Sequence, residues 1–180
     1  MAISTIGQNG LNAPLSLTSP ALGTPSSLVL TNATGLPQAG LGTNVVGNGP
    51  AFSAYLGSNQ NVSGSTWIKV QCNSTDFDTA GVYNTSTYRF TPNVAGYYQV
   101  NFSINQVANG YLSPAIYKNG SIYKAGSNGS GAVNNSSGSC IVYLNGSTDY
   151  IELYGNTGTT STWYSGSPYT YFNGCLIRSA

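Results

Sequence analysis

The residues able to do chemistry are few and badly placed for it. The 180-residue chain has no histidine. That removes Ser–His and Cys–His nucleophile pairs, because a hydroxyl or thiol needs an adjacent base to become reactive. The carboxylates are Asp76, Asp78, Asp149 and Glu152. Two carboxylates facing one another can hydrolyse a glycosidic bond, one as acid and the other as nucleophile or base. Here Asp76 and Asp78 fall in an expected loop, and Asp149 and Glu152 flank an expected strand start, so solvated turn acids account for them. Cys72, Cys140 and Cys175 are odd in number and far apart, unlike the close pairs of a zinc site or disulfide framework. They read as buried thiols acting as small hydrophobes. The glycine-rich stretch 126–131 lacks the lysine of a P-loop and reads as a flexible loop. The expectation is a protein with no enzymatic activity, no metal and no cofactor.

In place of reactive groups the chain carries aromatic surface, including 14 tyrosines. Trp163, Tyr164, Tyr169 and Tyr171 crowd near the C-terminal end. Aromatic faces stack on sugar rings, which makes Trp163, Tyr164 and Tyr169 candidate glycan contacts; core and rim packing is the other reading of the same residues. Charged residues make up only 5% of the chain, with a formal net charge of +1, against roughly 25% charged in ordinary globular proteins. Without a basic stripe the chain is not expected to bind nucleic acid. It has no apolar run of a length that crosses a membrane as a helix. Its start, Met-Ala-Ile-Ser-Thr-Ile-Gly, has neither a basic n-region nor a continuous apolar h-region, so no secretory leader is expected.

Elements that could position these residues follow from composition. Scarce Glu, Lys and Arg disfavour long helices, whereas Tyr, Thr and Val favour strands. Strands are expected over 51–56, 66–70, 87–90, 96–104, 113–118, 139–144, 150–154 and 171–177. Asn119-Gly120, Asn128-Gly129 and Asn145-Gly146 mark turns. Many short strands with turn signals between them indicate an antiparallel sandwich or jelly roll. In the stretch 96–104, Tyr98, Val100 and Phe102 fall on one face and should enter the core. Tyr97, Gln99, Asn101 and Ser103 fall on the other, which suits a wet or subunit-facing surface.

The spacing Asp78-x4-Tyr83-x6-Phe90-x5-Gly96-x-Tyr98-x-Val100-x-Phe102 closely resembles the signature of the C1q globular head, whose fold is shared with the tumour necrosis factor family. Ala51-Phe52-Ser53-Ala54 resembles the first strand of that fold. Ile116-Tyr117-Lys118-Asn119-Gly120 resembles its central hairpin, and Phe172-Asn173-Gly174-Cys175-Leu176-Ile177 its closing strand. Cys72 stands where the signature has Phe, and Val100 replaces another Phe; both stay apolar. The resemblance implies an all-β, antiparallel jelly-roll β-sandwich (C1q/TNF-like) over residues 50–180, and a homotrimer. It further implies that Tyr97, Gln99 and Tyr171 face the other subunits. Some members bind calcium, but no acidic cluster supports that here.

Residues 1–49 differ from the rest. Four of the eight prolines (Pro14, Pro20, Pro25 and Pro37) lie here and a fifth, Pro50, at the boundary, and no charged side chain precedes Lys69. Short apolar pieces, Leu15 and Leu17, then Leu28, Val29 and Leu30, alternate with Gly, Pro, Ser and Thr. The segment reads as an extended N-terminal arm for attachment, with a reach on the order of 160–175 Å if fully stretched. The stretch 23–37 resembles segments near the starts of tail-fibre and head-associated proteins of bacterial viruses. Two roles then compete. The first is a trimeric capsid decoration (cement) protein, made in the bacterial host cytoplasm and built into the virion, with arms on the major capsid protein or other virion subunits. The second is a tail-fibre tip or adhesin that binds a host-surface glycan.

Overall fold

The computed structural model describes residues 49–180; the arm residues Leu15, Leu17, Leu28, Val29 and Leu30 lie outside them. Twelve strands follow in order: β1 (Ala51–Tyr55), β2 (Gln60–Val62), β3 (Trp67–Lys69), β4 (Ser74–Asp78), β5 (Tyr83–Asn84), β6 (Arg89–Phe90), β7 (Ala95–Lys118), β8 (Ser121–Ala125), β9 (Gly129–Asn145), β10 (Ile151–Thr157), β11 (Ser161–Trp163) and β12 (Tyr171–Ser179). They form a sandwich of two antiparallel sheets with no helix among the described residues.

The 24-residue β7 ties the two layers together. Its first half pairs with β12 on one side and β9 on the other, extending a sheet ordered β4-β1-β12-β7-β9. Its second half pairs with β10 and with β8, and β10 in turn pairs with β3 and β6. Register shifts near Asn105 and Gly110 accompany the passage from one layer to the other. A short ribbon of β11 and β2 completes the described fold, with Trp163 set opposite Gln106.

The alternation expected along 96–104 is present with one departure: Tyr98, Val100, Phe102 and Ile104 are buried, but so is Ser103 on the other face, where its hydroxyl accepts from the Asn135 side chain. The first four meet Phe52, Ala54 and Leu56 of the first strand region, Val142 and Leu144 of β9, Ile151 and Leu153 of β10, and Phe172 of β12 in one core. Phe52 is the hub of its aromatic part. Its ring stacks on Phe90 at 4.2 Å and on Tyr83 at 5.5 Å, and meets Phe172 edge-on at 5.0 Å. The two core tyrosines keep their polar tips satisfied, as burial requires. The Tyr83 hydroxyl donates to the Cys72 carbonyl and the Tyr98 hydroxyl to the Val94 carbonyl.

Turn chemistry agrees with the sequence at Asn119-Gly120, where both residues have positive φ (52° and 82°) and join β7 to β8 by a two-residue turn. Asn145 acts as a small cap at the second expected turn: its side-chain oxygen accepts from the backbone N–H groups of Ser147, Thr148 and Asp149. The expected loop 126–131 with its Asn128-Gly129 turn is confined to 126–128, between β8 and β9, because Gly129 already begins β9. Asp76 and Asp78 do not lie in a loop either. They belong to β4, the outermost strand beside β1. Charges on such an edge discourage further strand addition.

Candidate functional site

The solvent side of the β4-β1-β12-β7-β9 sheet is the most distinctive surface among the described residues. Because Tyr98, Val100 and Phe102 point inward, Tyr97, Gln99 and Asn101 point outward. Tyr97 lies opposite Tyr143, and their rings are 5.5 Å apart. Gln99 is flanked by Ile141 on one side and Cys175 on the other. Tyr171 lies on the same face beside Tyr55 and Ser103. The sheet thus brings together the three residues singled out in the sequence, Tyr97, Gln99 and Tyr171. It adds four that were not: Phe77, Ile141, Tyr143 and Ile177, each between 40% and 51% exposed.

Two depressions mark this face. One, of about 520 Å³, is lined by Tyr97, Ile141, Ile177, Arg178, Ser179 and Ala180. A smaller one, of about 190 Å³, lies among residues that include Phe77, Gln99, Asn101, Asn173 and Cys175. Large apolar side chains in such numbers on one sheet face are costly in water and are the usual mark of a covered surface. The polar residues between them are already partly satisfied from within, since the Asn101 amide donates to the Asn173 side-chain oxygen.

The other candidate residues fare differently. Trp163 is fully buried, and its six-membered ring fills the space where a Cβ on Gly155 would stand, 2.6 Å from that position. It is a core residue and cannot stack on a glycan, which corrects the reading of Trp163 as a contact. Tyr164 and Tyr169 are exposed. The cysteines are not three buried thiols: Cys72 is buried, Cys140 half-buried and Cys175 exposed. Burial pushes the Cys140 thiol up to about 11 and Cys72 higher still, which makes both inert at neutral pH.

Each carboxylate is engaged by its own neighbours. Asp76 Oδ2 accepts from the hydroxyls of Ser53 and Ser167, and Asp78 Oδ2 from the Tyr83 backbone N–H. Asp149 bonds Lys118 and Asn119, which hold its carboxyl below the usual carboxylate range. Glu152 was read as a solvated turn acid. Its side chain is instead 1% exposed, receiving Lys69 Nζ at 2.5 Å and Arg89 Nε at 2.7 Å on one oxygen. No two of the four carboxylates share a hydrogen-bond partner. Among the described residues no group of three or more His, Cys, Asp or Glu is placed to hold a metal ion.

Residues 51–177 match the sequence model of the C1q domain. The chain belongs to the C1q family. Solved structures agree on the fold. The globular domain of the zebrafish complement 1qA protein superposes with a TM-score of 0.56 at 20% identity, covering 74% of this chain and all of that one. Eiger TNF from S. frugiperda gives 0.57 at 11% identity, covering 73% of this chain and 93% of the other. The vertex protein P5 of PRD1 gives 0.51 at 10% identity, covering 72% and 97% respectively. No curated protein matches the chain. In this C1q domain the aromatic-rich face described above is formed by the first half of β7, its neighbours β12 and β9, and the edge pair β1 and β4.

Proposed function

We propose that the protein is a non-enzymatic structural component of a bacteriophage particle: a homotrimer, built through the Tyr97 face, that decorates the capsid and holds it through its N-terminal arms. One observation carries the trimer reading. Five large side chains, Phe77, Tyr97, Ile141, Tyr143 and Ile177, stand exposed on a single sheet face. Tyrosine and other large apolar residues at the centre of a contact bury much area at little entropic cost, and are over-represented there. A family in which trimers are common supplies the symmetry, and a closed ring of three would cover the face on every subunit.

The virion setting rests on the chain outside the C1q domain. Residues 1–49 carry no charged side chain, and their stretch 23–37 resembles the starts of tail-fibre and head-associated proteins of bacterial viruses. The fold is one that PRD1 vertex protein P5 also has. Three arms on one trimer bind multivalently, so weak contacts to the major capsid protein or neighbouring virion subunits would add to firm attachment. The adhesin reading keeps Tyr164 and Tyr169 as exposed contacts but has lost Trp163 to the core.

Deletion of residues 1–45 is the test. The shortened protein is expected to keep its β-rich circular dichroism spectrum and melting temperature, and to lose attachment in co-sedimentation with particles that lack the native protein. Full occupancy by the shortened protein would overturn the arm's assigned role.

A further inference from the structure

The opposite face of the sandwich carries a second surface. Ile151, Leu153 and Gly155 of β10 point into the core, so Glu152 and Tyr154 point outward from the second layer. Tyr117 of β7, Trp67 and Lys69 of β3 and Arg89 of β6 converge on them from neighbouring strands. The rings of Tyr117 and Tyr154 stack at 3.9 Å, and Trp67 lies 6.0 Å from Tyr117. Lys69 Nζ is 6.0 Å from the Tyr154 ring centre, and the Arg89 guanidinium sits 4.1 Å over Tyr150.

The charges here do not balance. Two cations meet one carboxylate, which leaves an excess of one positive charge. Glu152 engages Arg89 through Nε alone, so the terminal Nη groups, above the Tyr150 ring, have no hydrogen-bond partner among the described residues. These are the donors that take a carboxylate two at a time. We propose that this face binds a saccharide bearing a carboxylate. The C–H face of the pyranose would pack on Trp67 beside the Tyr117–Tyr154 stack, in which each ring already covers one face of the other, because ring π-electrons attract polarised hydrogens, and the carboxylate would meet the Nη groups of Arg89.

Two features favour a sugar over a protein or nucleic acid. Protein interface cores are depleted in Lys and Glu, whereas Lys69 and Glu152 sit among these rings. A single excess charge neutralises too little phosphate to hold a nucleic-acid backbone. The surface is separate from the Tyr97 face, so it would exist in a monomer; in a trimer, three copies would raise a weak affinity by multivalency.

The experiment uses the full chain on an array of sialic- and uronic-acid oligosaccharides beside their neutral counterparts, followed by titration with Trp fluorescence. Trp163 is buried, so a change in emission on binding reports Trp67. The expected result is that acidic members bind and neutral ones do not, with quenching of the Trp67 emission. Arg89→Lys keeps the charge beside Glu152 and should weaken binding by about tenfold through loss of the planar donor pair. Trp67→Phe should keep the melting temperature and abolish the fluorescence response. The proposal is overturned if no acidic oligosaccharide binds above its neutral counterpart, or if Arg89→Lys binds as well as the native protein. Capture of a protein partner through this face, with no saccharide bound, would overturn it equally. Because the array reads saccharides and not oligomeric state, its failure would leave the trimer untouched.

Discussion

Phe52→Ala is expected to destabilise the sandwich by about 3–5 kcal/mol, the range for truncating a buried phenylalanine where the walls cannot collapse. The walls here are other rings. Phe90 and Tyr83 stack on Phe52 and Phe172 meets it edge-on, and all three belong to different strands fixed by their own ladders. Losing the ring removes its burial and also the ring–ring terms, which are worth roughly 0.5–1.5 kcal/mol each beyond area. A urea titration at fixed protein concentration checks this, since oligomer formation makes stability depend on concentration. Phe52→Leu should lose distinctly less, because much of the volume is kept. A loss under about 1 kcal/mol for Phe52→Ala would mean that the aromatic cluster does not hold the two layers together.

The second large effect belongs to the Tyr97 face. Tyr97→Glu combined with Ile141→Glu is expected to convert the oligomer to monomers while leaving the melting behaviour of the monomer intact. Both positions are about half exposed, so the fold tolerates a charge there. In an assembled trimer the same carboxylates would have to be desolvated, two on each subunit against the one cation, Arg178, that lines the same depression. The penalty for an unpaired buried charge is several kcal/mol, enough to raise the dissociation constant by about a thousandfold or more. Cys175 is a built-in reporter, being exposed on this face opposite Gln99. Its labelling by a thiol reagent should be slow in the native protein and fast in the double variant. Cys72 should stay unlabelled in both, since its thiol is buried and held far above neutral pH.

The sequence made the fold legible where pattern and turn chemistry coincide. The alternation of Tyr98, Val100 and Phe102 set the inward face of β7, and with it the outward position of Tyr97 and Gln99. The Asn119-Gly120 turn marked the β7–β8 hairpin by its need for two positive φ values. Other features depended on distant partners. β4 reads as loop because it holds two aspartates, yet as an edge strand it needs only one neighbour. β8 is exposed along its whole length, so it lacks the buried alternation that signals a strand. Glu152 looked like a turn acid, but Lys69 and Arg89 from two other strands cover it. Trp163 looked like surface because its neighbours Tyr164 and Tyr169 are; the space it fills exists only because Gly155 has no side chain. Ile141 and Tyr143 could have been found by the rule that picked out Tyr97, since they alternate with buried Val142 and Leu144.

The most direct test of the trimer is the mass of the protein in solution. Light scattering coupled to size exclusion at micromolar concentration should return three times the 18.6 kDa chain mass. The Tyr97→Glu, Ile141→Glu variant should return the single-chain mass under the same conditions. A native protein that ran as a stable monomer would contradict the account, because the Tyr97 face would then be left open to water.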